Sequence, residues 1–243
     1  MKLLALETST LLGGIAIADD TEGLIAESRL SIRTTFSERL MTEIDHVMKQ
    51  SGVLLEDIDV FAVSIGPGSF TGLRIGLSTV KGFAFTTGKP VVTIPSLEAL
   101  AWNFPFVSFP VCTLFDARKK EVYAAMFLWR DGSFTRIIGE APVSVHMLLE
   151  KIVSYGRASS SPEWSGGKIL FAGEGALLYK SEILSVMKEH AVFAPSEKMV
   201  PSPAAMAFLG MDRASRGEFS DAAGLVPFYI RRSEAENKID EWG

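Results

Sequence analysis

Apolar positions along the chain fall into short blocks separated by polar turns. Leu3 to Leu6 and Gly14 to Ala18 are two such blocks joined by Glu7-Thr8-Ser9-Thr10, and Leu24 to Leu30 follows a second turn at residues 19–23. The chain therefore opens on a predicted three-strand meander. Phe36, Leu40, Ile44, Val47 and Met48 then recur at helical spacing until Ser51-Gly52, with Thr35 and Glu38 placed as a capping box. This predicts a first helix from about Phe36 to Gln50. Val60 to Ile65 is a continuous, β-branched apolar run, the pattern of a strand covered on both faces. It leads through Gly66-Pro67-Gly68-Ser69-Phe70-Thr71-Gly72 into a second helix reaching about Phe85, followed by a short strand at residues 91–94 and a helix capped by Ser96.

From there the pattern restarts. Val111 to Phe115 ends in Asp116 as Leu3 to Leu6 ends in Glu7, 109 residues earlier, and an apolar strand at residues 122–129 follows. Ile169 to Ala172 feeds Gly173-Glu174-Gly175 and a helix at about residues 177–188, which matches the Gly66 loop at an offset of 107. Two features at nearly one spacing indicate an internal duplication, although strand-to-acid and strand-to-glycine patterns also arise by chance. A meander followed by helix, strand and helix, occurring twice, is an α/β architecture of two lobes with a cleft between them. Residues 155–168, with Ser159-Ser160-Ser161-Pro162 and Gly166-Gly167, read as a surface loop, and residues 237–243 have only Ile239 and Trp242 as anchors.

Composition narrows the class. The 243 residues are 47% apolar and 22% charged, enough to bury a sizeable core in two lobes of about 100 to 150 residues. We divide them at residues 1–105 and 106–243, with room for the last helix to return to the first lobe. A single cysteine, Cys112, excludes an internal disulfide framework and any zinc site of several thiolates, which points to a reducing, cytoplasmic setting. Leu3 to Leu6 meets Glu7 at once and falls short of a signal-peptide core. Asn103, Pro105 and Pro110 interrupt the longest charge-free run, below the ~20 apolar residues of a membrane helix. With Lys plus Arg at 24 against Asp plus Glu at 29, the net charge of -5 argues against an autonomous grip on nucleic acid.

Three features carry candidate chemistry. The Gly66 to Gly72 loop, with Ser69 and Thr71, could converge backbone N–H groups on a phosphate at a helix N-terminus, or could simply permit tight packing and a cap. Its spacing is neither that of a Walker loop nor that of a dinucleotide-binding fingerprint. Glu7 and Asp116 occupy corresponding strand ends, where acids in a cleft could orient hydrated magnesium on a nucleotide, or could accept turn amides. Helix two contains Gly72, Gly76 and Gly82, each costing about 1 kcal/mol relative to alanine, which calls for a close approach to something. Its apolar surround is covered either within the domain or by a partner. On the partner reading the surface comprises Leu40, Met41, Ile44 and Met48 of helix one with Leu73, Gly76, Leu77 and Val80 of helix two, and Gly76→Leu blocks pairing while sparing the fold. His46, His146 and His190 fall in separate predicted helices, which speaks against a histidine metal pair or a Ser-His-Asp triad.

Ile65 to Gly76, with Leu4 to Thr10 before it and Asp116-Ala117-Arg118-Lys119-Lys120-Glu121-Val122-Tyr123 after it, resembles the TsaB family, also called YeaZ. The likeness continues in Ser37-Glu38-Arg39-Leu40, Ser96 to Leu100 and Pro227-Phe228-Tyr229-Ile230-Arg231, and so covers nearly the whole chain. It implies the duplicated actin, sugar-kinase and Hsp70-like ATPase (ASKHA) fold. It further implies a cytoplasmic, non-catalytic partner in forming N6-threonylcarbamoyladenosine beside the tRNA anticodon. That partner pairs through its first two helices with the catalytic paralogue TsaD, is joined by the ATPase TsaE, forms a homodimer alone, and meets tRNA through the complex.

The resemblance also bears on the site. The nucleotide or phosphate set is Glu7, Thr8, Ser9, Gly66, Gly68, Ser69, Thr71, Gly72 and Asp116, with no tightly bound cofactor, ATP or ADP entering in the assembled complex, and no metal. Departures from the family pattern are Glu7 for a frequent Asp, Phe36 before Ser37 for a frequent His, and the serine-rich segment. The rival readings are a small-molecule phosphotransferase of the same fold, drawn from Glu7, Asp116 and the glycine loop, a metallopeptidase, against which the missing histidine pair counts, and a purely structural protein without a role in the pathway.

Overall fold

The computed structural model describes residues 1–31, 36–158 and 167–228. Thr35 of the expected capping box, the serine-rich stretch 159–166, Tyr229-Ile230-Arg231 of the family-like C-terminal motif, Ile239 and Trp242 lie outside them. In the first lobe β1 (Lys2–Glu7), β2 (Leu12–Asp19) and β3 (Gly23–Ser31) form the expected meander. α1 (Phe36–Ser51), β4 (Val60–Gly66), α2 (Phe70–Thr87), β5 (Val91–Pro95) and α3 (Ser96–Ala101) follow. The second lobe repeats the scheme with β6 (Val111–Asp116), β7 (Glu121–Arg130), β8 (Ser133–Ser144), α4 (Val145–Ala158), β9 (Ile169–Ala172), α5 (Glu174–Leu178), α6 (Lys180–Met187) and β10 (Ala191–Phe193). α7 (Pro203–Ser215) closes the order.

The two sheets have one topology. The first runs β3-β2-β1-β4-β5 and the second, read from its far edge, β8-β7-β6-β9-β10. In each, the three meander strands are antiparallel and the remaining pairings parallel. Strand order and sense coincide across ten strands, and this is the duplicated ASKHA architecture.

β1 shows why its residues are continuously apolar. Leu4 and Leu6 point to the face covered by Leu40, Ile44, Leu77 and Val80 of α1 and α2. Leu3 and Ala5 point to the opposite face, covered by Met206, Ala207 and Leu209 of α7. A period of two with both faces covered leaves no polar position in the middle of the strand. Each of these leucines contributes about 1.5–3 kcal/mol of burial.

α3 sits where the lobes meet. Leu97 and Leu100 pack on Phe127 and Leu170 of the second sheet, while Ala99 joins the cluster under α7. Glu98 accepts from Arg213 Nη2 of α7 at 2.8 Å and from Arg136 Nη2 of β8 at 3.1 Å, so one carboxylate ties both lobes to one helix. Just beyond α3, Asn103 donates through Nδ2 to Val200 O at 2.7 Å and accepts from Ser202 N–H at 3.1 Å, which fixes the entry to α7.

Four expectations are corrected. Residues 155–158 are the end of α4 rather than a loop, because Leu148, Leu149 and Ile152 bury a helical stripe that Tyr155 continues against the second core. The helix expected at residues 177–188 is divided at Tyr179, whose φ of -107° and ψ of 25° are not helical, and it starts earlier, at Glu174. His190 accordingly lies in a 3-10 turn, Lys188–His190. Ser96 is the first residue of α3 and not its cap; Pro95 holds the cap position and the buried Ser96 hydroxyl has no hydrogen-bond partner.

Candidate functional site

The end of β1 folds back on itself. The Ser9 N–H donates to Glu7 Oε1 at 2.6 Å and the Ser9 hydroxyl donates to the same oxygen, while Glu7 Oε2 has no partner. Glu7 is completely buried, and desolvation raises its carboxyl to about 7 although the Ser9 hydrogen bonds pull the other way. Thr8 is equally buried. Its N–H donates to Ser64 Oγ at 3.2 Å and its hydroxyl has no partner.

The glycine loop lies directly over this turn. A Cβ on Gly68 would fall 2.2 Å from Ser9 O, on Gly72 2.1 Å from Thr8 O, and on Gly76 2.3 Å from Thr8 Oγ1. The close approach that these glycines serve is therefore to the end of β1 within the same lobe. Ser69 caps α2 by accepting from Gly72 N–H at 3.2 Å, and its own N–H donates to Ser9 O at 2.7 Å. Packing and capping account for the loop.

Asp116 ends β6 in a different setting. It is partly exposed, accepts from Arg118 N–H at 2.9 Å through Oδ1, and stands 3.8 Å from Arg118 Nε through Oδ2. Arg118, Lys119 and Lys120 all have positive φ, at 64°, 52° and 63°, a run of left-handed residues that side chains disfavour. Between the two strand ends lies a cleft of about 410 Å³, lined by residues 9–11 and 68–70 of the first lobe and by residues 115–118, Tyr123 and Glu174 of the second.

Of the expected phosphate set, Ser9, Gly68, Ser69 and Asp116 line this cleft. Glu7, Thr8, Gly66 and Gly72 are buried behind it, and Thr71 is exposed on the first turn of α2. Several donors that a phosphate would need are used internally. Those of Ser9, Ser69 and Gly72 are accounted for above, and the Ala117 and Arg118 N–H groups are held by Glu121 O and Asp116.

Most of the residues of the expected partner surface are taken up inside the chain. Leu40, Ile44, Leu73, Leu77 and Val80 are buried in this chain's own core, where they hold α1 and α2 on the first sheet, and Met48 packs half-buried against them. Gly76 faces Thr8, so Gly76→Leu would disrupt the lobe itself. Of the eight residues only Met41, 53% exposed, faces outward, and the outer side of α2 ends in Phe85, 92% exposed.

The family model for TsaD, tRNA N6-adenosine threonylcarbamoyltransferase, matches residues 25–239. The tRNA threonylcarbamoyladenosine biosynthesis protein TsaB of Bacillus subtilis is 30% identical over 98% of this chain and 97% of its own length. The chain belongs to the TsaB family. The Escherichia coli TsaB is 24% identical over 98% of both chains. The crystal structure of YeaZ from Pseudomonas aeruginosa superposes with a TM-score of 0.76 at 25% identity, covering 94% of this chain and 99% of that one.

Within this TsaB-family chain the sequence reading missed Thr10, Leu11, Phe115, Tyr123 and Glu174 as cleft residues. The repeat held the signal for Glu174, since it follows Gly173 as Pro67 follows Gly66. Three consecutive basic residues, one position beyond a strand-end acid, were the signal for the Arg118 turn. Among the described residues, no group of three His, Cys, Asp or Glu side chains could hold a metal ion, and no helix is long and apolar enough to cross a membrane.

Proposed function

We propose that this chain is the non-catalytic partner subunit of the assembly that forms N6-threonylcarbamoyladenosine on tRNA, supporting a TsaD-type transferase together with a TsaE-type ATPase. The observation that carries this reading is the burial of Glu7. An acid that positions a metal-bound phosphate must reach the ligand, whereas this carboxyl is sealed beneath Ser9 and held partly neutral by its surroundings. The chain keeps the architecture of a nucleotide-handling fold without presenting that acid.

The outer face of α1 and α2 is the pairing surface in this reading, serving a second copy of the chain when alone and the transferase in the complex. Phe85 and Met41 support it, since large side chains so exposed on packed helices are what an interface covers. Gel filtration and a pull-down with the TsaD homologue of the same organism test it. Phe85→Asp with Met41→Asp abolishes pairing in both assays while leaving the melting temperature within a few degrees, because neither side chain belongs to the core. Pairing at unchanged affinity overturns the assignment of that face. The tRNA is held by the complex, consistent with a chain of net charge -5.

A further inference from the structure

We propose that the inter-lobe cleft receives a lysine or arginine side chain from another protein, its cationic head paired with Asp116 and its aliphatic stem laid against Leu11 and Phe70. Four independent features of the cleft converge on this class of ligand. The first is its charge: Asp116 and Glu174 line it against the single base Arg118, and Arg118 is held loosely. The Arg118 side chain is 88% exposed, with Nε 3.8 Å from Asp116 Oδ2, where the Asp116 side chain is 23% exposed. A surface pair of this kind contributes at most about 1 kcal/mol and is readily displaced. Arg118 shows the position attracts a guanidinium without committing its own.

The second feature is the direction of the hydroxyl protons. Ser9 donates its proton to Glu7 Oε1 and Thr10 donates its proton to Leu12 O at 2.9 Å. Ser9 is only 1% exposed, so the half-buried Thr10 is the hydroxyl that meets the cleft, and it presents lone pairs rather than a proton. The third is the use of the Ser69, Gly72, Ala117 and Arg118 amides within the fold, which removes donors that an anion would draw on. The fourth is the wall: Leu11, 75% exposed, and Phe70, whose ring already carries the Arg74 guanidinium 3.7 Å from its centroid, offer apolar surface suited to the methylene stem of a long basic side chain. A hydrated divalent cation would also suit acceptors, but it would gain nothing from that wall.

The first arm of the test concerns the isolated cleft and stands separately from the partner-subunit reading, on which only the second arm rests. Amide chemical shifts of the full chain are followed by NMR at low salt against four probes: butylguanidinium chloride, butylammonium chloride, magnesium chloride and magnesium-ADP. Saturating shifts at Gly68, Ala117 and Arg118 are expected with the two alkyl cations, and Asp116→Asn weakens them about fivefold, the equivalent of one surface ion pair. Response to magnesium-ADP or magnesium chloride without response to the alkyl cations overturns it. In a second arm, Asp116→Lys is assayed for affinity to the reconstituted protein partners, with its melting temperature as the control for folding. A loss of about tenfold or more supports a protein side chain as the occupant, and unchanged affinity overturns that occupant.

Discussion

Two strand ends that the duplication makes equivalent have diverged in opposite directions. At the end of β1, the acid is buried, its partner is a serine two residues on, and α2 descends onto the turn through glycines. At the end of β6, the acid reaches the cleft and the following turn is a left-handed run of three basic residues. In the second lobe the glycines of α5 pack on Leu114 of β6, two residues before the acid, where those of α2 pack on Thr8, one residue after it. The shift changes which residue the helix covers, and the covered residue loses its access to solvent. Duplication has preserved strand order and left each acid's chemistry to the local packing.

The contrast can be broken most severely at α2. Gly76→Leu forces a side chain into the space held by Thr8, whereas Gly82, with nothing near its Cβ position, tolerates Gly82→Leu. Overpacking against a fixed backbone makes Gly76→Leu cost 3 kcal/mol or more, about 10 °C or more in melting temperature, and Gly82→Leu at most a few tenths. Circular-dichroism melts of both variants check this, and equal losses would contradict the placement of the two glycines.

Next in size is the pH dependence set by Glu7. Its folded-state carboxyl, raised to about 7, binds a proton that the unfolded chain has released from its ordinary value of 4.5. Stability from this group is therefore complete below about pH 4.5 and declines as pH rises to about 7 and beyond, by about 3 kcal/mol in all. Urea unfolding from pH 5 to pH 8 should show this decline in the wild type and a flatter profile in Glu7→Gln. Parallel profiles would contradict the burial of an ionisable carboxyl there.

A smaller effect is expected where the lobes meet. Glu98→Ala leaves Arg136 without its shorter ion pair and removes one of the two acids from Arg213, a loss of about 2 kcal/mol. Hydrogen exchange should quicken in β8 and α7 together, since one carboxylate serves both. Smallest of all is Asp116→Asn. An exposed acid with a loosely paired arginine changes stability by about 0.5 kcal/mol or less, so a large loss would mean that Asp116 is as structural as Glu7.

Much of this architecture was legible because apolar runs of β1, β4 and β6 are continuous and end in a charged residue or a glycine. Those patterns register burial on both faces, which periodicity expresses well. β8 was not located by residue, since Gly139, Pro142 and its largely half-buried or exposed positions give no clean alternation. The burial of α1 and α2 on their own sheet takes most of the residues the partner-surface reading named. A helix apolar on several sides reads the same whether its own sheet or another chain covers it, and here the sheet takes Leu40, Leu73, Leu77 and Val80. For the cleft, sequence placed Ser9, Ser69 and Asp116 near one another through the repeat. Whether a hydroxyl or an amide is spent internally depends on geometry that no residue pattern records.

The central claim is that this chain is required by a transferase without being one. An omit-one reconstitution tests it most directly: tRNA, threonylcarbamoyl-adenylate, and the TsaD and TsaE homologues of the same organism, with and without this chain, scored for modified adenosine by mass spectrometry. The account predicts modification only when the chain is added, and none from the chain with donor and tRNA alone. Modification at the same rate without it, or modification by the chain with donor and tRNA alone, would contradict the account.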